Sequence, residues 1–146
     1  MLKIGAIAKQ ANVSVGTLRY YESLKLIQPL QRSEKGCRYY DEHVIQRILF
    51  IRKAQVLQFS LADIGQILAI REQGHPTCSK VKALVDQKLD QIDTQIQHLN
   101  EFKTTLEKYR DQWAERPLDK SNSETICSLI NEVTNETKYL FPTSLN

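Results

Sequence analysis

Ser14-Val15-Gly16-Thr17-Leu18-Arg19-Tyr20-Tyr21-Glu22 is the stretch that decides the fold. Ser14 stands where a helix begins, and its hydroxyl can accept a bond from a first-turn amide. Leu18 and Tyr21 then fall on one helical face, leaving Gly16, Thr17, Arg19 and Tyr20 on or near the other. Upstream, Ile4, Ile7 and Ala8 form a short helical face that breaks at Ala11-Asn12-Val13. Two short helices about so tight a turn read as a helix-turn-helix. Downstream, Pro29 closes the stretch. Leu30-Gln31-Arg32 and Cys37-Arg38-Tyr39-Tyr40 flank the polar turn Ser33-Glu34-Lys35-Gly36, which predicts a two-stranded wing with Gly36 supplying positive φ. Asp41 can cap a third helix carrying Val44, Ile45, Ile48, Leu49 and Ile51. Ser60-Leu61-Ala62-Asp63 has the pattern of a capping box opening a fourth, which Gly74-His75-Pro76 stops.

The second half has a different period. Val85, Ile92, Leu99, Leu106 and Trp113 stand seven residues apart, with Leu89 and Ile96 filling intermediate positions and Phe102 and Tyr109 continuing the apolar face. Lys103 and Arg110 interrupt the seam, but no Gly or Pro falls between Ser79 and Ala114. About five heptads argue for a coiled coil. One small head cannot cover roughly 50 Å of apolar stripe, so a second copy must, and an antiparallel homodimer is the simplest closed solution. After Arg116-Pro117 comes a polar loop, then an amphipathic segment from Glu124 to Val133. Thr134 to Asn146 has no clear period, although Tyr139-Leu140-Phe141 could dock.

The fold class expected is therefore mostly α. A winged helix-turn-helix DNA-binding domain covers residues 1–71, a hinge 72–78, an antiparallel coiled-coil dimerisation helix 79–114, and an effector-binding loop, short helix and tail 115–146.

Charge follows the same division. Residues 1–71 hold eleven Lys/Arg against five Asp/Glu, whereas residues 72–146 hold nine against twelve, within a net charge of +3. A basic first half points to a polyanion partner. No apolar run is long enough to span a bilayer and no secretory signal is visible, so a cytoplasmic protein without membrane contact is expected. Three cysteines, Cys37, Cys78 and Cys127, make an odd count that disfavours a disulfide framework. No phosphate loop, dinucleotide fingerprint or cysteine with a base beside it points to an enzyme.

DNA binding needs cations placed for phosphates and a rigid element that enters a groove. The second helix offers Ser14, Gly16, Thr17, Arg19 and Tyr20. The wing adds Arg32, Lys35, Arg38 and Tyr39, and the third helix adds Arg52 and Lys53. Gly16 would let a backbone approach DNA, and Arg19 is the natural base-edge or phosphate reader.

These residues carry a family resemblance. Ile4-Gly5, Ala8, Val13-Ser14-Val15 and Thr17 to Glu22 are similar to the opening of MerR-family regulators. So are Leu26-Ile27-Gln28-Pro29, Arg32, Gly36, Arg38-Tyr39-Tyr40-Asp41, Phe50-Ile51 and Phe59-Ser60-Leu61. Cys37 departs from the pattern, since the family usually has an aromatic residue there. The resemblance implies a dimer on a near-palindromic operator of double-stranded DNA within a promoter whose spacer is overlong. It also implies that the apo dimer represses. With inducer, on the same resemblance, it would bend and untwist the same DNA so that RNA polymerase can align both promoter elements.

The resemblance extends to sensing. Cys78 and Cys127 occupy positions similar to ligand cysteines of the metal-sensing branch, where the first comes from one subunit and the loop cysteines from the other. A cysteine at the Cys78 position marks sensors of divalent ions, so Zn²⁺, Cd²⁺, Hg²⁺ or Pb²⁺ is the effector class implied. The further cysteine usual near the end of the long helix is replaced here by Gln112-Trp113-Ala114-Glu115. His75 is the nearest additional ligand, with Asp119 and Glu124 more remote. Two other readings stay open. One is a thiol sensor of oxidants or electrophiles using Cys78 or Cys37, the latter lying between Lys35 and Arg38, which favour a thiolate. The other is a constitutive DNA-architectural dimer.

Overall fold

The computed structural model describes residues 1–134. In chain order the elements are β1 (Leu2–Lys3), α1 (Ile4–Ala11), α2 (Val15–Ser23), β2 (Gln31–Arg32) and β3 (Arg38–Tyr40). They are followed by α3 (His43–Val56), α4 (Leu61–Glu72), α5 (Cys78–Trp113) and α6 (Ser128–Asn131). The fold is mostly helical, with the expected helix-turn-helix, wing and long helix in sequence.

Local chemistry explains most boundaries. Asn12 ends α1 in the left-handed region at φ 52, a conformation that asparagine tolerates better than most side chains. Two residues later the Ser14 hydroxyl accepts from the Thr17 amide at 3.0 Å and starts α2. Ser60 does the same for α4, accepting from the Asp63 amide at 3.0 Å, with the Asp63 carboxylate favourably placed in the first turn. Asp41 accepts from the His43 amide at 2.9 Å at the entrance to α3. Gly74, at φ 79, closes α4.

The wing is larger than the sequence indicated. Instead of two strands there are three, in the order β1-β3-β2, both pairs antiparallel. Leu2 sits opposite Tyr40 and Lys3 opposite Tyr39, while Gln31 and Arg32 face Tyr39 and Arg38 from the other side. The two-residue β1 has no periodicity of its own to reveal it. Its partner is nearly forty residues away in sequence.

In the core of this head Ile7, Leu18, Ile27, Tyr40, Ile48, Ile51, Ile64 and Ile67 are essentially inaccessible. Leu84 joins that core and Val81 packs against it. The first turns of α5 are thus built into the basic head, and the compact unit runs from Met1 to Asp86 rather than ending near 71.

From residue 87 onward the remainder of α5, the loop and α6 form a second unit. Along α5, Val85, Leu89, Ile92, Ile96, Leu99 and Leu106 are all exposed on the single chain. Tyr109 and Trp113 stack one turn apart with ring centroids 5.0 Å from each other. The amphipathic segment expected over Glu124 to Val133 shortens to the four residues of α6, with Cys127 extended at its N-cap. The expectation for Tyr139-Leu140-Phe141 lies outside the described residues. Among those described, no helix is long and apolar enough to cross a membrane.

Candidate nucleic-acid interface and effector cysteines

α2 exposes Gly16, Arg19 and Tyr20, with Thr17 half-buried. Ser14 and Thr17 are partly committed to the cap, their hydroxyls 2.8 Å apart. A Cβ on Gly16 would meet only the Ser14 Oγ, at 3.7 Å, so nothing among the described residues demands glycine there. Any demand comes from what approaches the helix from outside. Arg19 reaches solvent and has no ion-pair partner among the described residues.

The wing tip is closed by its own hydrogen bonds. Ser33 N–H donates to the Cys37 carbonyl and Gly36 N–H to the Ser33 carbonyl, both at 2.8 Å, while Cys37 N–H donates to the Ser33 hydroxyl at 3.0 Å. Gly36 takes the expected positive φ of 78. Lys35 and the Cys37 thiol lie exposed on this tip, and Tyr39 is half-buried.

Two of the wing cations have another engagement. Arg38 Nε donates to Glu22 Oε1 at 2.8 Å, and Arg32 Nη2 reaches the same oxygen at 3.0 Å. The Tyr40 hydroxyl donates to Glu22 Oε2 at 2.7 Å. Desolvation by itself pushes the Glu22 carboxyl upward. The hydrogen bonds from Tyr40 and Arg38 and the charges of Arg38 and Arg32 outweigh it, so the carboxyl titrates below its ordinary value. Its contribution to stability is present above the unfolded carboxylate value and fades as pH falls through the lowered folded one. The Tyr40 phenol is held well above its usual range, first by burial and then by the carboxylate it donates to.

Arg52 is committed as well, donating from Nη1 to the carbonyls of Asn12 at 2.8 Å and Ala11 at 3.3 Å. It satisfies the C-terminal carbonyls of α1 and holds the helix-turn-helix from below. Lys53, one residue on, is exposed. Of the eleven residues read as DNA contacts, Arg19, Tyr20, Lys35 and Lys53 remain freely presented. Arg32, Arg38 and Arg52 first build the frame that presents them. Sequence reasoning missed Glu22, whose only signal is an acid placed among so many cations.

The residues expected to hold an effector are distributed over both units. His75 and Cys78 are exposed in the first, Cys78 being the first residue of α5. Cys127 is half-buried in the second. Asp119, a remote ligand candidate, is already spoken for: it accepts from the Ser128 amide at 2.9 Å and the Ser128 hydroxyl at 2.6 Å. Those two bonds hold its carboxyl below the ordinary range. Arg116 and Glu132 form a fork at 3.0 and 2.5 Å that closes the loop carrying Cys127. Among the described residues no group of three or more His, Cys, Asp or Glu side chains is assembled for a metal within one chain.

Comparison with known proteins decides the family. Residues 2–69 match the family described as MerR HTH family regulatory protein, and residues 45–109 match MerR, DNA binding. The transcriptional regulator ZntR of Escherichia coli K12 is 34% identical over 131 residues, 89% of this chain and 90% of that protein. The chain belongs to the MerR family. As a MerR-family protein it is a DNA-binding transcriptional regulator, and its relatives are regulators, not enzymes. The mercuric resistance operon regulatory protein of Bacillus cereus is 32% identical over 104 residues, 71% of this chain and 79% of that one. Among solved structures, PbrR691 of Ralstonia metallidurans CH34, crystallised with lead(II), superposes with a TM-score of 0.71 at 32% identity. That match covers 90% of this chain and 98% of that one. In this MerR-family chain the helix and wing described above are the DNA-binding head, and α5 is the long helix that follows it.

Proposed function

We propose that the protein is a homodimer that grips a near-palindromic operator through two heads and remodels the promoter spacer when a thiophilic divalent cation binds. The observation that carries the DNA-binding part is the free presentation of Arg19 and Tyr20 on α2 and of Lys35 on the wing tip, while other cations of the head brace the frame. Arg19 is the residue assigned to base edges or phosphates, and Arg19→Ala should weaken operator binding by about 1–3 kcal/mol without changing the oligomer. A gel-shift titration giving wild-type affinity would remove α2 from the interface.

Dimerisation rests on the exposed α5 stripe, which needs a partner surface of equal length. In an antiparallel pair the start of one α5 meets the far end of the other, so Cys78 of one subunit would face the partner's loop. The donor set fits the effector class: thiolates of Cys78 and Cys127, with His75 imidazole available, suit Zn²⁺, Cd²⁺, Hg²⁺ or Pb²⁺. Proteins similar to this one carry names that refer to mercury and lead, which supports the same reading. Two thiolates alone favour Hg²⁺ in linear coordination, whereas a tetrahedral ion needs further donors from His75 or solvent.

Induction follows as a population shift. An ion that binds one dimer geometry better than the other biases the pair of heads, and the bend and twist of the spacer report that bias to RNA polymerase. The test is equilibrium titration of the fully reduced dimer with each of the four ions, with Cys78→Ser as control. Stoichiometric binding that releases protons, weakens as pH falls and disappears in the variant is the expected result. Binding unaffected by Cys78→Ser would dispose of the site. A response to oxidant alone, insensitive to chelators, would favour the exposed Cys37 or Cys78 thiol as the sensor instead.

A further inference from the structure

We propose that Glu22 is the positioning residue for operator discrimination, fixing the placement of the wing relative to α2. The proposal rests on the DNA-binding role of the head and goes beyond it. The Glu22 side chain is 12% exposed at the end of α2 and receives three donors from the wing. Arg32 of β2 and Arg38 of β3 meet at Oε1, at 3.0 and 2.8 Å, and the Tyr40 hydroxyl of β3 meets Oε2 at 2.7 Å. One carboxylate therefore ties both strands of the hairpin to the helix that carries Arg19. Tyr40 is wholly buried and pairs in register with Leu2, so the tie continues into β1 and the core.

Helix and wing meet a duplex at different places, and each reads correctly only while the other is in register. Recognition groups must be held to about 0.5 Å and 10–20° by residues that do not themselves make the contact. The sign of the charge makes this role separable from electrostatics. A carboxylate in a basic head repels phosphates, so if its charge were all that mattered, removing it would strengthen binding to every duplex. If it positions the wing, removing it should weaken the operator complex while leaving binding to unrelated DNA unchanged or tighter.

The experiment uses the full-length dimer as Glu22→Ala, Glu22→Gln and Tyr40→Phe. Fluorescence anisotropy reads affinity for an operator duplex selected with the wild-type protein and for an unrelated duplex of the same length. Both are followed over a salt series, with thermal unfolding recorded for each variant. Operator affinity is expected to fall at least tenfold for Glu22→Ala, with unrelated-duplex affinity steady or raised, so that their ratio collapses. Glu22→Gln keeps an acceptor and should lose part of the ratio; Tyr40→Phe removes only the Oε2 donor and should lose a smaller part in a folded protein. A parallel rise on both duplexes would reduce Glu22 to a charge and overturn the proposal. So would a parallel fall matching the unfolded fraction in all three variants. A wild-type protein that selects no duplex would instead refute the DNA-binding reading beneath it.

Discussion

The double variant Ile92→Asp/Leu99→Asp is expected to sediment as a monomer or to lose its long helix altogether. On the single chain these side chains are 41% and 40% exposed, one heptad apart on the same stripe as Val85 and Leu106. Covering each with a partner helix should contribute about 1–2 kcal/mol. The variant replaces that gain with two carboxylates per chain, four in the closed seam, each desolvated beside like charges in a stripe that only Lys103 and Arg110 interrupt. An uncompensated buried charge costs about 3–5 kcal/mol, which four such groups multiply beyond the stability of an ordinary dimer. Sedimentation and circular dichroism together separate a folded monomer from a collapsed helix. A folded dimer of wild-type stability would show that the stripe is not the seam. Operator binding should fall with the dimer, because the proposed near-palindromic operator would be read by two heads at once.

The other large effect concerns induction. Cys78→Ser and Cys127→Ser should each abolish the response to metal in a promoter-reporter assay while sparing operator binding. Neither residue belongs to the helix or wing that meets DNA, and serine removes only the soft donor. Cys37→Ser should leave the metal response intact. The expected readout is all-or-none: with one thiolate left the proposed site would lose its intersubunit clasp, and differential affinity for the two dimer geometries would vanish with it. A Cys127→Ser protein that still responds fully to every ion tried would end the two-cysteine site as an explanation. If Cys37→Ser alone silences an oxidant response, the thiol-sensor reading takes its place.

What the sequence made legible was whatever is decided within one helical turn or by simple period. The Ser14 and Ser60 caps, the positive φ at Gly36 and the long uninterrupted helix all follow from residues within a few positions of one another. What stayed hidden was decided by residues far apart. Glu22 gathers partners 10, 16 and 18 positions away, and Arg52 donates to carbonyls 40 and 41 positions earlier. A charge in such a place looks the same in sequence as a charge waiting for phosphate; only the fold shows it already occupied. The same holds for Asp119, which reads as a potential ligand until both its oxygens are found on Ser128. Strand β1 was invisible because two residues carry no alternation.

Leu84 sets the grain along which this molecule could be recombined. Because that side chain is 4% exposed within the head core, the head carries about two turns of the long helix as part of its own interior. A chimaera spliced at the visible end of α4, giving these heads a foreign dimerisation helix, would put an arbitrary residue into that niche. Losing a buried leucine leaves a void worth about 2–5 kcal/mol, a large share of what holds so small a domain together. The interchangeable part therefore begins after Asp86, and Cys78, lying upstream of that joint, travels with the head. A lineage that traded everything beyond that joint would keep Cys78, the proposed metal ligand, with its head and take any counterpart of Cys127 from the incoming segment.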